Sequence, residues 1–432
     1  MTKPFWYFLF LFISIKGAAQ EVLRLPDAVN IALKNSLDIQ LSENDVEINT
    51  ILNHRGIAGG LPLVALNVTN NENVSTINQK LNTGVTINRN AAAVNQLNSN
   101  VAVSMLLYNG KRVVATKGRL AELQKQSQSL LNSQVQNIIG GVMSAYYDIV
   151  RQQSFLKTVE KSIEASQQQL DIVKARQSVG LANNADLFQA QIDLNALQQS
   201  QISQQLIIDQ AKTELLRLLT LNPDSLIIIR DTILVDKTLQ LDQVLNRLSS
   251  NPDIIAAENE IRINQQIVKE TSAQRYPSVR ANAGYNFNRN QAAAGQLLLN
   301  QNYGPAIGLT LGIPIYNGQI FKRQQRVAEV NVASAEINKQ ILWRDYRALV
   351  VSSYQAYIST LEQLETEQKN YQLSSQLLEL ALQRFQFKQA TIVDVKNAQQ
   401  SFEASGFRLV NLNYSAKFAE IELKRLASQL SL

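Results

Sequence analysis

The chain has 432 residues, 45% of them apolar and 18% charged, with a formal net charge of +6. That balance excludes a disordered chain and, with no basic cluster interleaved with aromatics, a nucleic-acid partner. There is no cysteine, which excludes disulfides, thiolate metal sites, a cysteine nucleophile and an acylated N-terminal cysteine.

Residues 1–20 read as a secretory signal. Lys3 gives the positive end, Phe5 to Ile15 the apolar core, and Gly17-Ala18-Ala19 the small-residue cleavage site. The apolar run is short for a membrane span of about 20 residues. Cleavage after Ala19 or Gln20 exports the chain and, by removing Lys3 and Lys16, lowers its charge from +6 to about +4. No later apolar run approaches a spanning helix.

A first repeat is assigned to 21–220, a linker to 221–240 and a second repeat to 241–432. The first repeat opens with helix from Leu25 to Ile57, broken near Asn35-Ser36. Its counterpart runs from Leu241 to Gln274 and breaks at Asn251-Pro252. Each gives way to a proline, Pro62 and Pro277, which cannot continue a helix and pushes its predecessor to extended geometry.

Strand pairs follow, at about 63–108 and 278–316. Val279, Ala281, Ala283, Tyr285 and Phe287 alternate with Arg280, Asn282, Gly284, Asn286 and Asn288. Ile307 to Ile315 alternate likewise with small residues. Val64, Leu66 and Val68, then Val101, Val103, Met105 and Leu107, repeat the pattern in the first half. One apolar face over about 9–11 residues is the pattern of a bilayer-crossing strand; the edge of a soluble β-sandwich is the other reading. Asn- and Gln-rich stretches at 70–100 and 289–303 read as solvent loops, the first with extra strand at Thr83 to Asn88. Four strands cannot close a barrel, and open edges in lipid leave backbone groups unpaired. Membrane strands here therefore require several chains sharing one barrel.

Tyr108-Asn109-Gly110 and Tyr316-Asn317-Gly318 turn the strands into long helices, about 110–178 and 318–387. The two motifs lie 208 positions apart (316 minus 108), and the same offset joins Tyr146 to Tyr354, Arg176 to Arg384 and Asp186 to Asp394. A constant offset marks internal duplication. A helix of about 68 residues is about 100 Å long, more than a globular core uses. Leu156, Val159, Ile163, Ser166, Leu170 and Val173 step by three and four, the seam of a coiled coil. Tips at 176–186 and 384–394 lead to return helices, about 184–219 and 392–430; Asn184 or Asp186 is expected to cap the first. In the linker, Ile227-Ile228-Ile229 and Thr232 to Val235 read as a short strand pair.

Taken together, the duplicated helix, proline, strand pair, Tyr-Asn-Gly, helix order and the paired tips resemble the TolC-type outer-membrane channel family. Val179-Gly180-Leu181 is similar to its Val-Gly-Leu turn, and Thr391 to Val395 to its Thr-Ile-Val-Asp-Val stretch. The resemblance implies a mainly α fold with a transmembrane β part. Two tandem repeats would each give two strands to a shared trimeric twelve-stranded β-barrel and long helices to a periplasmic coiled-coil α-barrel. It implies a homotrimer in outer-membrane lipid, reaching into the periplasm as the passive exit duct of a tripartite efflux pump or type I secretion system. Its expected partners are a periplasmic adaptor, docked on Ser178, Val179, Gly180, Leu181 and, at the second tip, Lys388, together with an inner-membrane transporter. Lys388 stands where glycine is usual, which makes the second tip's geometry an open question. Asp394 matches the first of two gate aspartates and Asn397 replaces the second; a helix cap is the other role for Asp394.

No cofactor or metal is expected. His54 is a lone surface histidine, and Glu362, Glu365 and Glu367 read as a solvated helix face. No nucleophile motif or phosphate loop points to an enzyme. A periplasmic coiled-coil adaptor or a structural protein without a barrel is the alternative.

Overall fold

The computed structural model describes residues 22–430; the segment read as a secretory signal lies outside them. The chain divides into two compact units. One comprises residues up to Gln40, Gln134–Leu248 and Tyr346 onward; the other comprises Leu41–Ser133 and Ser249–Asp345.

The elements are α1 (Leu25–Asn35), α2 (Leu37–Leu52), β1 (Leu63–Lys80), β2 (Thr86–Tyr108), α3 (Arg112–Ser178), α4 (Asn184–Leu218), α5 (Leu241–Arg247), α6 (Pro252–Ala273), β3 (Ser278–Ala292), β4 (Leu299–Gly312), α7 (Ile320–Gln386) and α8 (Ile392–Leu426). From α3 onward the second half repeats the first with no drift. Helices α3 and α7 have 67 residues each, α4 and α8 have 35 each, and every boundary moves by 208 (320 minus 112). The chain reverses at matching points too: Gly110 and Gly318, Lys111 and Gln319, Gly180 and Lys388, Thr220 and Ser428 all adopt positive φ.

The strand unit holds one antiparallel sheet in the order β1-β2-β3-β4. Its strands run well beyond the stretches marked as strands in the sequence. The polar run 70–100 is not a loop: β1 continues to Lys80 and β2 starts at Thr86, leaving a tight turn at Gly84 with φ +86°. The run 289–303 likewise belongs mostly to β3 and β4. Asn and Gln, poor in strand propensity, stay in the ladder here by bonding across it. Asn95 donates to Asn70 at 2.9 Å and Asn288 to Asn302 at 2.9 Å, and Asn100 bonds Asn286. In the other direction β4 stops at Gly312, four residues short of Tyr316, because Pro314 cannot donate to a ladder.

The other unit is built on a helical core where Ala28, Val29, Val142, Tyr146, Ile149, Leu215 and Ile421 are buried together. The linker crosses this core without a strand pair of its own. Its one bridge is parallel, between Val22 and Ile228, since the side chains around it supply the other partners. Tyr146 donates to Asp231 at 3.2 Å, Gln153 to the Ile229 carbonyl at 3.2 Å, and Tyr357 to the Asp236 carbonyl. A second core near the tips joins Leu170, Val173, Leu194, Phe385, Val395 and Phe402. The seam read along α3 contributes to it, with Ser166 and Val173 each 1% exposed.

Candidate functional site

Antiparallel register sorts the sheet into two faces, because alternate side chains point to opposite sides. One face carries the rows Val64–Val103–Ala283–Ile307, Leu66–Val101–Tyr285–Pro305 and Val68–Ser99–Phe287–Tyr303. The other carries Asn67–Asn100–Asn286–Gly304 and Thr69–Asn98–Asn288–Asn302, with Leu63–Ser104–Asn282–Gly308 nearer the helices. The apolar face is bare: Ile307 is 89% exposed and Leu309 73%. Its aromatic residues Tyr285, Phe287 and Tyr303 cluster toward the hairpin end, as at a bilayer–water boundary. A monomeric soluble protein does not leave such a face open. Strands β1 and β4 also leave their outer backbone edges unpaired within the chain.

The Tyr-Asn-Gly turns redirect the chain into α3 and α7. Gly110 takes φ +66° against Tyr276; a Cβ there would lie 2.6 Å from the Tyr276 Cβ, so a side chain is excluded twice over. Asn109 accepts from the Val113 amide at 3.3 Å, starting α3. Gly318 has the same φ of +66°. Tyr108 closes its ladder opposite Val279, whereas Tyr316 lies beyond the end of β4, 81% exposed.

The two tips form one turn twice. At the first, Gly180 N–H donates to the Gln177 carbonyl (2.9 Å) and Leu181 N–H to the Arg176 carbonyl (2.8 Å). At the second, Lys388 N–H donates to the Phe385 carbonyl (3.1 Å) and Gln389 N–H to the Arg384 carbonyl (2.8 Å). This is a helix-ending motif with a left-handed residue at its apex. Lys388 keeps that geometry at φ +60°, beside φ +75° for Gly180. Ser178, Val179 and Leu181 are exposed, Val179 at 66%.

Past the first tip the cap of α4 is Asn183, whose side chain accepts from the Asp186 amide at 2.7 Å; neither Asn184 nor Asp186 caps it, because the helix already begins at Asn184. Past the second, Thr391 caps α8 and Asp394 completes a capping box. Asp394 Oδ2 accepts from the Thr391 amide (2.7 Å) and hydroxyl (2.8 Å). These bonds hold the Asp394 carboxyl below its ordinary pKa. Asn397 is exposed one turn on, and both line a cavity of about 340 Å³ with Arg384. Between the helices Lys396 pairs with Asp193 at 2.8 Å, and Arg176 bonds the Phe385 carbonyl across α3 and α7.

Sequence reasoning missed two seams. Phe188, Ile192, Ile202 and Leu206 on α4, and Leu373, Leu377 and Leu380 on α7 with Phe387 just past its end, each follow heptad spacing yet are exposed. It also misread Glu367, which is buried rather than solvated. Glu367 accepts from Ser405 (2.5 Å) and Arg408 (3.2 Å), tying α7 to α8. Those bonds, with Asn370, outweigh the upward push of burial and lower its pKa. His54 is exposed, with Nδ1 accepting from the Gly56 amide at 3.1 Å. Among the described residues no group of three or more His, Asp or Glu side chains could hold a metal ion, and no helix is long and apolar enough to cross a membrane.

A bare apolar sheet face backed by an amide face, with long helices ending in paired tips, defines the wall of a membrane duct. The sequence model of the outer membrane efflux protein family matches residues 29–220 and 245–429, and the chain belongs to that family. It is 23% identical over 411 residues to the outer membrane protein TolC of Vibrio cholerae, covering 91% of this chain and 90% of that one. Among solved structures, the outer membrane protein VceC of Vibrio cholerae superposes with a TM-score of 0.78 at 17% identity, covering 94% of this chain and 96% of its own. The Campylobacter jejuni CmeC outer membrane channel gives 0.74 at 17%, covering 94% and 85%. The protein is an outer-membrane efflux channel, a mainly helical chain with a membrane-embedded sheet.

Proposed function

We propose that three copies of this chain form one duct, closing a twelve-stranded barrel by pairing β1 of each with β4 of the next. The observation that carries this reading is the sheet itself: four strands, two open edges and one bare apolar face. Open edges in lipid cost several kcal/mol for each unpaired group, and closure with neighbouring copies removes them. The exposed α4 and α7 seams support the same assembly, each suited to the other's helix on an adjacent copy. Residues 1–20 are read as the cleaved export signal, and the duct as passive, with energy supplied by an inner-membrane transporter.

A periplasmic adaptor docks on the tips, at Ser178 to Leu181 and around Lys388. Both tips present the same turn, so one adaptor hairpin chemistry suits both. Asp394 caps α8 and, in a trimer, adds a ring of three ionised carboxylates beside Asn397. Negative-stain electron microscopy of detergent-extracted protein tests the assembly: three-fold particles with a detergent belt are expected, and a soluble monomer refutes it. In planar bilayers Asp394→Ala is expected to weaken cation preference; unchanged conductance and selectivity would remove the gate role.

A further inference from the structure

We infer that Arg280 builds a binding ring for multiply charged anions inside the barrel, an inference that rests on the three-chain duct proposed above. Register places Arg280 in the row Leu106–Arg280–Thr310, on the same face as Asn282, Asn286 and Asn288. With the apolar face against lipid, this face lines the lumen. Within residues 63–71, 96–108, 278–290 and 300–312, Arg280 is the one ionised side chain on that face; Arg289 lies on the opposite face and donates to Gln291 at 2.6 Å. Arg280 is exposed, and among the described residues no carboxylate pairs with it. Within those ranges every other polar group on this face is neutral, and several are already bonded: Asn282 to Thr310 at 2.9 Å, Asn288 to Asn302 at 2.9 Å, Asn100 to Asn286.

A second guanidinium stands at the same mouth. The cavity of about 610 Å³ at the strand feet is lined by Ser278 and Gly312, two rows below Arg280, and by Asn109, Arg112, Tyr276 and Phe321. Twelve strands spaced about 4.8 Å apart and tilted about 40° close at a radius of roughly 12 Å. An extended arginine reaches about half of that radius. Three Arg280 side chains therefore converge on the axis with no counter-charge, in a lumen whose low-dielectric walls focus the field. Guanidinium groups bind sulfonate and phosphate oxygens in pairs of parallel hydrogen bonds. A cargo or solute with several negative charges fits this ring, and a multivalent cation does not.

Single-channel recording in planar bilayers tests it, with pyrenetetrasulfonate added on the side where the strand hairpins turn, so that the probe meets the barrel first. Wild-type channels are expected to be blocked. Arg280→Gln is expected to weaken block at least ten-fold, Arg280→Lys less, and Arg112→Gln to an intermediate degree. In an Asp394→Ala background, Arg280→Glu is expected to transfer block to hexaamminecobalt, an outcome that a merely misfolded variant cannot give. Equal block of wild type and Arg280→Gln, in channels of unchanged conductance, overturns the ring and leaves the duct intact. Absence of any three-fold conducting particle removes the duct and the ring with it.

Discussion

The tips offer a test in which one backbone term is isolated. Gly180 sits at φ +75°, and a Cβ built there meets nothing within 4 Å. Gly180→Ala therefore adds no clash, only the cost of holding an L-residue in the left-handed region, about 1–2 kcal/mol. Reduced freedom of the unfolded chain returns about 0.4–1 kcal/mol. The net loss is about 0.8 kcal/mol at the midpoints of these ranges, or local opening roughly four-fold more frequent. Lys388 adopts the same turn at φ +60°, so Lys388→Gly should change the second tip by a similar amount in the opposite direction. Amide hydrogen exchange at Leu181 and Gln389, which close the two turns on Arg176 and Arg384 at 2.8 Å each, reads both. Faster exchange at Leu181 in the first variant and slower exchange at Gln389 in the second are expected. Unchanged exchange in both would show that the turns are held by something other than their backbone geometry.

Other consequences follow from the helical unit and the sheet. Glu420 is 2% exposed and takes both carboxylate oxygens to Lys417 at 3.0 Å, with Lys424 at 2.8 Å. Glu420→Ala strands the buried Lys417 and should cost about 3–5 kcal/mol, read by denaturant unfolding; a Lys417→Met, Glu420→Leu pair should cost much less. Lys424 also binds Asp236 at 3.0 Å, fastening the linker to α8. Bonds from Thr238 and Lys424 hold Asp236 well below the usual carboxylate range, so its contribution is complete above about pH 4 and fades as pH falls through the lowered value. Burial alone would lower the Lys424 pKa, but Glu420 and Asp236 raise it; its contribution is complete below about pH 10.4 and fades as pH rises through the raised value. Limited proteolysis of the linker should thus stay constant between those limits and accelerate outside them. On the sheet, Leu309→Arg puts a charge on the apolar face at about 2–4 kcal/mol, whereas Ala306→Arg, opposite Gly284, faces the lumen. Trimer yield in outer-membrane fractions should fall for the first and hold for the second.

The duplication, the proline-to-strand transitions and the tips were legible because each rests on local chemistry: a constant offset, a residue without an amide hydrogen, a glycine at a reversal. Apolar alternation also marked the buried-in-lipid part of each strand. It could not mark where strands end. Beyond Thr69 and Asn288 both faces turn polar, period-two contrast vanishes, and Asn-rich strand reads as loop, although the ladder continues to Lys80 and Ala292. The cap of α4 falls one residue before Asn184 and three before Asp186 because Asn183, Asn184 and Asp186 are all good caps in the sequence, and only the structure shows that Asn183 bonds the Asp186 amide. At the second tip the constant offset located the turn, but nothing in Lys388 itself signals the positive φ it adopts.

The buried state of Glu367 and the exposed seams on α4 and α7 share a further cause. A long helix with small and polar residues on several faces has no single apolar stripe, and which stripe is buried depends on what packs beside it. Within one chain, α7 and α8 enclose Glu367 through Ser405, Arg408 and the Tyr371–Phe402 contact, whose ring centroids are 5.3 Å apart. The Phe188–Leu206 and Leu373–Phe387 seams find no such neighbour. The sheet behaves in the same way, satisfied between β1 and β4 and open at both ends. Two independent layers, one stabilised by backbone hydrogen bonds and one by side-chain packing, each stop short of closing on themselves. A chain that folded to function alone would be selected to cover at least one of them, so the incompleteness of both is what the proposed trimer would complete.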